Sequence, residues 1–189
     1  MSSIRPRQIG YRLEFEQALR LFGRASDAMI SRGLPAPVLV GGAAVEIYSK
    51  GSINTGDFDI VTAWQAEFEE ELQGLGFVRP AGPGRATRGW IHPELRLGFE
   101  VVADSLLDGA ADRHRVQLID LGEDGTAAVI SLEDMIADRM GQYASGTAPE
   151  MLEQARRLFA LHTDADRDYM EKRIRHESAG DYGVEDVES

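Results

Sequence analysis

Residues 38–61 read VLVGGAAVEIYSKGSINTGDFDIV, and this stretch decides the fold. Val38-Leu39-Val40 is a short apolar run, brief enough for a buried strand, and it runs straight into Gly41-Gly42. Ala43 to Ser49 has the spacing of a short helix, 51–56 is a polar loop, and Asp57 to Thr62 predicts a second strand. Successive side chains of a strand alternate between faces, so Asp57 and Asp59 share one face while Phe58 and Ile60 take the other. Two carboxylates side by side repel unless a cation lies between them. Their oxygens are the ligand type that Mg²⁺ or Mn²⁺ prefers. Glycines at a strand-to-helix junction let the backbone approach a phosphate, and a helix N-terminus offers free N–H groups to it. Gly41 and Gly42 are therefore candidate nucleotide-binding residues, with the short hydroxyls of Ser49, Ser52 and Thr55 placed to assist.

Upstream, Phe15, Ala18, Leu19, Phe22 and Met29 recur at helical steps and predict a helix over about 12–31, stopped by Gly33. Downstream, a helix is expected from Ala63 to about Gly74, then strands around Phe77-Val78 and 87–92, a strong one over 95–103, and weaker ones over 116–121 and 127–130. In the strong strand Leu97, Phe99, Val101 and Ala103 form one face and Glu100 falls on the other. If that strand lies beside the Asp57 strand, Glu100 joins the two aspartates, with Asp104 in reserve. Three carboxylates can hold two metals roughly 3.5–4 Å apart, an arrangement suited to in-line phosphoryl displacement. Glu100 would then be a ligand and a proton acceptor.

From Ser131 the pattern is helical throughout. Ser131 and Asp134 make a capping box for a helix to about Ser145, a second runs to about His162, and a third spans about 164–178. Arg139 lies on the apolar stripe of Leu132, Met135, Ile136, Met140 and Tyr143, where an inward guanidinium needs an anion. That anion is either a structural carboxylate or a triphosphate. The expected organisation is a mixed α/β body over 1–130 with its N-terminal helix, packed C-terminal helices over 131–178, and an acidic flexible tail over 179–189.

Bulk properties narrow the classes. The 189 residues carry a formal net charge of −12, which argues against broad nucleic-acid binding. There is no cysteine, so disulfides and thiolate metal sites are excluded. No run approaches the roughly 18 apolar residues of a membrane helix, and the N-terminus lacks the apolar core of a signal peptide; the expected location is cytoplasmic. Arg85 and Arg88, in a Pro/Gly loop, could touch a polyanionic acceptor or simply face solvent.

The strand, Gly-Gly, short helix and Asp-x-Asp series resembles the signature of the DNA polymerase β nucleotidyltransferase superfamily, and Gly98-Phe99-Glu100-Val101 fits its third acidic strand. Within it the chain is most similar to small AbiEii-like proteins of the abortive-infection toxin type, in which a helix opens on a motif like Ser131-Leu132-Glu133-Asp134. That group usually has a lysine where Arg139 stands here. The resemblance implies a nucleotidyltransferase fold, with a mixed sheet flanked by helices and a C-terminal helical segment. It also implies Mg²⁺- or Mn²⁺-dependent transfer of a nucleoside monophosphate from a nucleoside triphosphate. The acceptor would be tRNA or protein, in a toxin with a cognate antitoxin, or a small antibiotic of the aminoglycoside or lincosamide kind. A catalytically idle nucleotide- or partner-binding module is the alternative from another class.

Overall fold

The structure, a computed structural model, describes residues 11–54, 56–80 and 89–188. Helix α1 (Leu13–Ser31) is followed by β1 (Val38–Val40), α2 (Gly41–Tyr48), β2 (Phe58–Val61) and α3 (Gln65–Gly74). Then come β3 (Trp90–Ile91), β4 (Gly98–Ala103), β5 (Gln117–Asp120) and β6 (Thr126–Val129). Helices α4 (Leu132–Ala144), α5 (Met151–Leu161), α6 (Arg167–Glu177) and α7 (Val184–Glu188) complete the chain. The sheet order is β3-β4-β2-β1-β6-β5; β2/β4 and β1/β6 run parallel, and the other pairs are antiparallel. This is the mixed α/β fold expected from the sequence.

The alternation in β2 and β4 divides the sheet into two faces. Phe58 and Phe99 are register partners whose rings stack at 4.7 Å, and both are buried. Helix α1 covers that face with the stripe read from its sequence: Phe15 lies 5.1 Å from Phe58, and Phe22 lies 6.4 Å from Phe99. Each such aromatic contributes about 1.5–3 kcal/mol through burial. Gly23 lets α1 approach the 122–124 turn, since a Cβ there would fall 2.4 Å from the Asp124 carbonyl. Asp124 in turn accepts from Arg20 and Arg24 of α1.

Helix α4 packs against α2, α5 and α6. Its Ser131 cap accepts from the Asp134 N–H, the forward bond of the expected capping box, and the return bond to the Asp134 carboxylate comes from the Ser131 hydroxyl rather than its backbone N–H. Asp134, 1% exposed, also pairs with Arg173 of α6 at 2.7 Å and accepts from the Tyr169 hydroxyl. Burying these two charges is tolerable because Asp134 also accepts from Ser131 and Tyr169 while Arg173 also pairs with Glu177.

Three local expectations are corrected. Residues 77–78 make only a bridge, Val78 to Ile91, rather than a strand. The strand expected over 95–103 starts at Gly98, because His92–Leu97 form a turn in which Arg96 adopts φ 56°. The acidic tail is not frayed. Gly180 ends α6 with its N–H on the Arg175 carbonyl, and α7 folds back with Val184 and Val187 buried. Its acids meet arginines of α5 and α6: Glu185 pairs with Arg175, Glu188 with Arg167, and the Asp186 carbonyl accepts from Arg156.

Candidate functional site

The parallel pairing of β2 with β4 places Asp59 opposite Glu100. Register partners on neighbouring strands project to one side, so Asp57, Asp59 and Glu100 share the face opposite the phenylalanine stack. The long-range pairing that the sequence left conditional is present. Asp57, exposed at the mouth of β2, accepts from the Gly98 N–H at 2.9 Å, which ties the start of β2 to the start of β4. Asp59 is half-buried. Burial pushes its carboxyl above the ordinary range, and Asp57 and Glu100 push the same way, while the Gly42 N–H and Arg139 act against them.

The Gly-Gly pair stands at the N-terminus of α2, as the sequence indicated, and its glycines serve Asp59 directly. Gly41 has φ +55°, and a Cβ on it would meet Asp59 Oδ2 at 2.0 Å. The Gly42 N–H favours the charged form of the same carboxylate. The residues expected to face a phosphate are thus also those that let a carboxylate settle on a helix N-terminus, where the positive dipole end favours it.

Arg139 is buried at 5% exposure on the site-facing side of α4. Its Nη1 reaches Asp138 at 3.3 Å, it lies in the field of Asp59, and its buried Nε has no partner among the described residues. Burial works against its charge, and Asp138 and Asp59 sustain it. Both options left open at the sequence level are therefore visible: a carboxylate partner is present, and one donor is unused.

Other candidates fall elsewhere. Ser49 is buried, and its hydroxyl is spent inside the α2–β2 connection, donating to the Glu46 carbonyl and accepting from the Ile53 N–H. Asp104 is exposed and accepts from the adjacent Ser105 hydroxyl. Thr55, Arg85 and Arg88 lie outside the described residues.

A cavity of about 370 Å³ opens beside this cluster, lined by Gly41 and Asp59 and by Asp138 and Gln142 of α4. Val102 and Met135 are among its apolar walls, and Leu107 and Asp108, both at positive φ, belong to its lining. Asp138 and Gln142 were not singled out from the sequence. The signal was there, because Met135, Asp138 and Gln142 follow i, i+3, i+7 spacing and so share one helical face.

A divalent cation suits the chemistry of this donor set. The ligands are all carboxylate oxygens, and Asp59 carries a charge made costly by burial and by two like neighbours. Among the described residues no three His, Asp or Glu side chains, Asp57, Asp59 and Glu100 included, are grouped so that they could hold a metal ion together. An open site is what Mg²⁺ uses when one or two carboxylates hold it and substrate oxygens complete its shell.

No family sequence profile matches the chain, and no curated protein sequence matches it. Solved structures do. An antigenic nucleotidyltransferase-like protein from Paracoccidioides brasiliensis superposes with a TM-score of 0.58 at 12% identity, over 86% of each chain. The antibiotic-resistance factor ANT(2'')-Ia, in its solution structure, gives 0.52 at 17% identity over 86% of this chain and 92% of that one. Its crystal structure with adenylyl-2''-tobramycin gives 0.54 at 16% identity, over 86% and 98%. At these identities the likeness is one of architecture, and it establishes that the chain has a nucleotidyltransferase fold.

Proposed function

We propose that this protein transfers a nucleoside monophosphate from a nucleoside triphosphate to a hydroxyl-bearing acceptor, breaking the α–β phosphate bond and releasing pyrophosphate. The observation that carries the reading is the β2/β4 register, which sets Glu100 beside Asp59 on the face that also bears Asp57. Asp57 and Asp59 would hold a divalent ion, Mg²⁺ or Mn²⁺, which would supply positive charge against the triphosphate. Glu100, half-buried on the neighbouring strand, takes the proton of the acceptor hydroxyl. The N-terminus of α2 and the unused donor of Arg139 bind phosphate oxygens.

For the acceptor, the net charge of −12 favours a small cationic molecule over a polyanion. The likeness to the antibiotic-resistance factor ANT(2'')-Ia supports the same reading. The toxin-type reading, with tRNA or protein as acceptor and a cognate antitoxin, has the capped opening of α4 at Ser131–Asp134 in its favour. The deciding experiment supplies each α-labelled triphosphate with Mg²⁺ or Mn²⁺ alongside total RNA, a cell-protein extract or an aminoglycoside panel. Label on one acceptor class, lost in Asp57→Ala/Asp59→Ala, supports transfer and names the class. Triphosphate binding without label on any acceptor would support the idle module instead.

A further inference from the structure

We infer that the cavity beside Asp59 receives the base of the nucleoside triphosphate, and that Asp138 and Gln142 select a base carrying an exocyclic amine. This rests on the nucleotidyl-transfer reading above and adds to it the residues that choose the nucleotide.

Position comes first. The cavity wall includes Gly41 and Asp59 but neither Asp57 nor Glu100. It therefore continues from the end of the site where the α2 N-terminus meets phosphate, and leads away from the carboxylate assigned to the acceptor. A group attached to the bound phosphates extends into it. At about 370 Å³ it lies near the lower bound of small-molecule sites, which run roughly 300–1,000 Å³. Val40, Val102, Ile130 and Met135 give it apolar walls suited to the faces of a flat ring.

Chemistry comes second. Gln142 donates its amide to Asp138 Oδ2 at 2.8 Å, and Arg139 donates to the same oxygen. Both donors land on Oδ2. Asp138 and Gln142 both line the cavity, and Asp138 Oδ1 and the Gln142 amide oxygen take no part in these bonds, so both are acceptors for an incoming group. An amine placed between them finds two acceptors, whereas a carbonyl in that position would set acceptor against acceptor. Arg139, one residue along, keeps a buried Nε without a partner among the described residues. An unpaired donor on a permanently charged, buried group calls for an anion. Consecutive residues of α4 thus present a phosphate donor and a base-reading edge.

The test is equilibrium binding to the full chain by calorimetry in Mg²⁺, using ATP, GTP, CTP, UTP, ITP and inorganic tripolyphosphate. A hydrogen bond to a charged group corresponds to roughly ten- to hundredfold in affinity. At least one of ATP, GTP and CTP is therefore expected to bind at least about tenfold more tightly than UTP and ITP, which lack the amine. Asp138→Asn should compress that ratio. Gln142→Leu should do the same while leaving tripolyphosphate affinity and melting temperature unchanged, because it keeps the Asp138–Arg139 pair. Equal affinity for all five nucleotides, or a preference that survives both substitutions, would overturn the inference and leave the transfer reading intact. Failure of every triphosphate and of tripolyphosphate to bind would sink the transfer reading itself.

Discussion

Replacing Gly41 by alanine tests whether the Gly-Gly pair exists to admit Asp59. The added Cβ would fall 2.0 Å from Asp59 Oδ2, 2.9 Å from Cγ and 3.0 Å from Cβ, so the whole carboxylate must move. The backbone at position 41 has φ +55°, a conformation that costs an L-residue roughly 1–2 kcal/mol. Moving Asp59 also takes it from the Gly42 N–H that favours its charge, and a polar interaction with a charged group contributes roughly 1.5–3 kcal/mol. Together Gly41→Ala should lose about 2.5–5 kcal/mol in urea denaturation, with the slope against denaturant unchanged. Gly33→Ala, at φ +77° with nothing within 4 Å of the added Cβ, is the matched control and should lose only the backbone cost of roughly 1–2 kcal/mol. The decisive comparison is the double variant Gly41→Ala/Asp59→Ala. Without the carboxylate only the backbone cost remains, so the cycle should show a coupling of about 1.5–3 kcal/mol. Costs that add to within about 0.5 kcal/mol would mean the close approach of residues 41 and 59 is not what the glycine serves.

Three other outcomes follow from the packing. Arg173→Met strands the buried Asp134 carboxylate and should cost about 3–5 kcal/mol by chemical denaturation, far more than Arg175→Met at the exposed Glu171 and Glu185 pairs. Asp124 is held below the ordinary carboxylate range by hydrogen bonds from Arg20 and Arg24. Its contribution is therefore complete above its unfolded pKa of about 4 and is lost as pH falls through the lower folded value, so Arg20→Gln/Arg24→Gln should flatten the acid limb of a stability-against-pH curve. Val187→Asp, which puts a charge where 2% of the side chain is exposed, should lower the melting temperature and expose the α6–α7 connection to proteolysis, whereas a true loose tail would show neither change.

The residues closest to the chemistry were the most legible, because strand alternation is a local property. Phe58 and Ile60 against Asp57 and Asp59, and Phe99 against Glu100, declare their faces without reference to the rest of the chain. What local pattern could not supply was that residues 58–61 lie beside residues 98–103, a pairing across some forty positions that α3 and β3 intervene in. Ser49 misled for the opposite reason: it is near the glycines in sequence, but the end of α2 turns its hydroxyl inward to the Glu46 carbonyl and the Ile53 N–H. The segment after Gly180 looked unpartnered because its acids have no basic residue among them, while their arginines sit on α5 and α6. Asp138 and Gln142 are not legible because a polar pair on a helix is ordinarily solvated, and only the packing of α4 against α2, α5 and α6 brings them to a cavity.

The β2/β4 ladder binds the accuracy of the site to the survival of the fold. A slip of one residue between these strands would do more than separate Asp59 from Glu100. It would also swing a carboxylate into the aromatic stack of Phe15, Phe58 and Phe99 and expose a phenylalanine in its place. A form slipped by one residue therefore cannot accumulate as a stable but inactive protein. The hydrophobic core acts as an inspector of the acidic face, rejecting every slip that would trade a carboxylate for a phenylalanine.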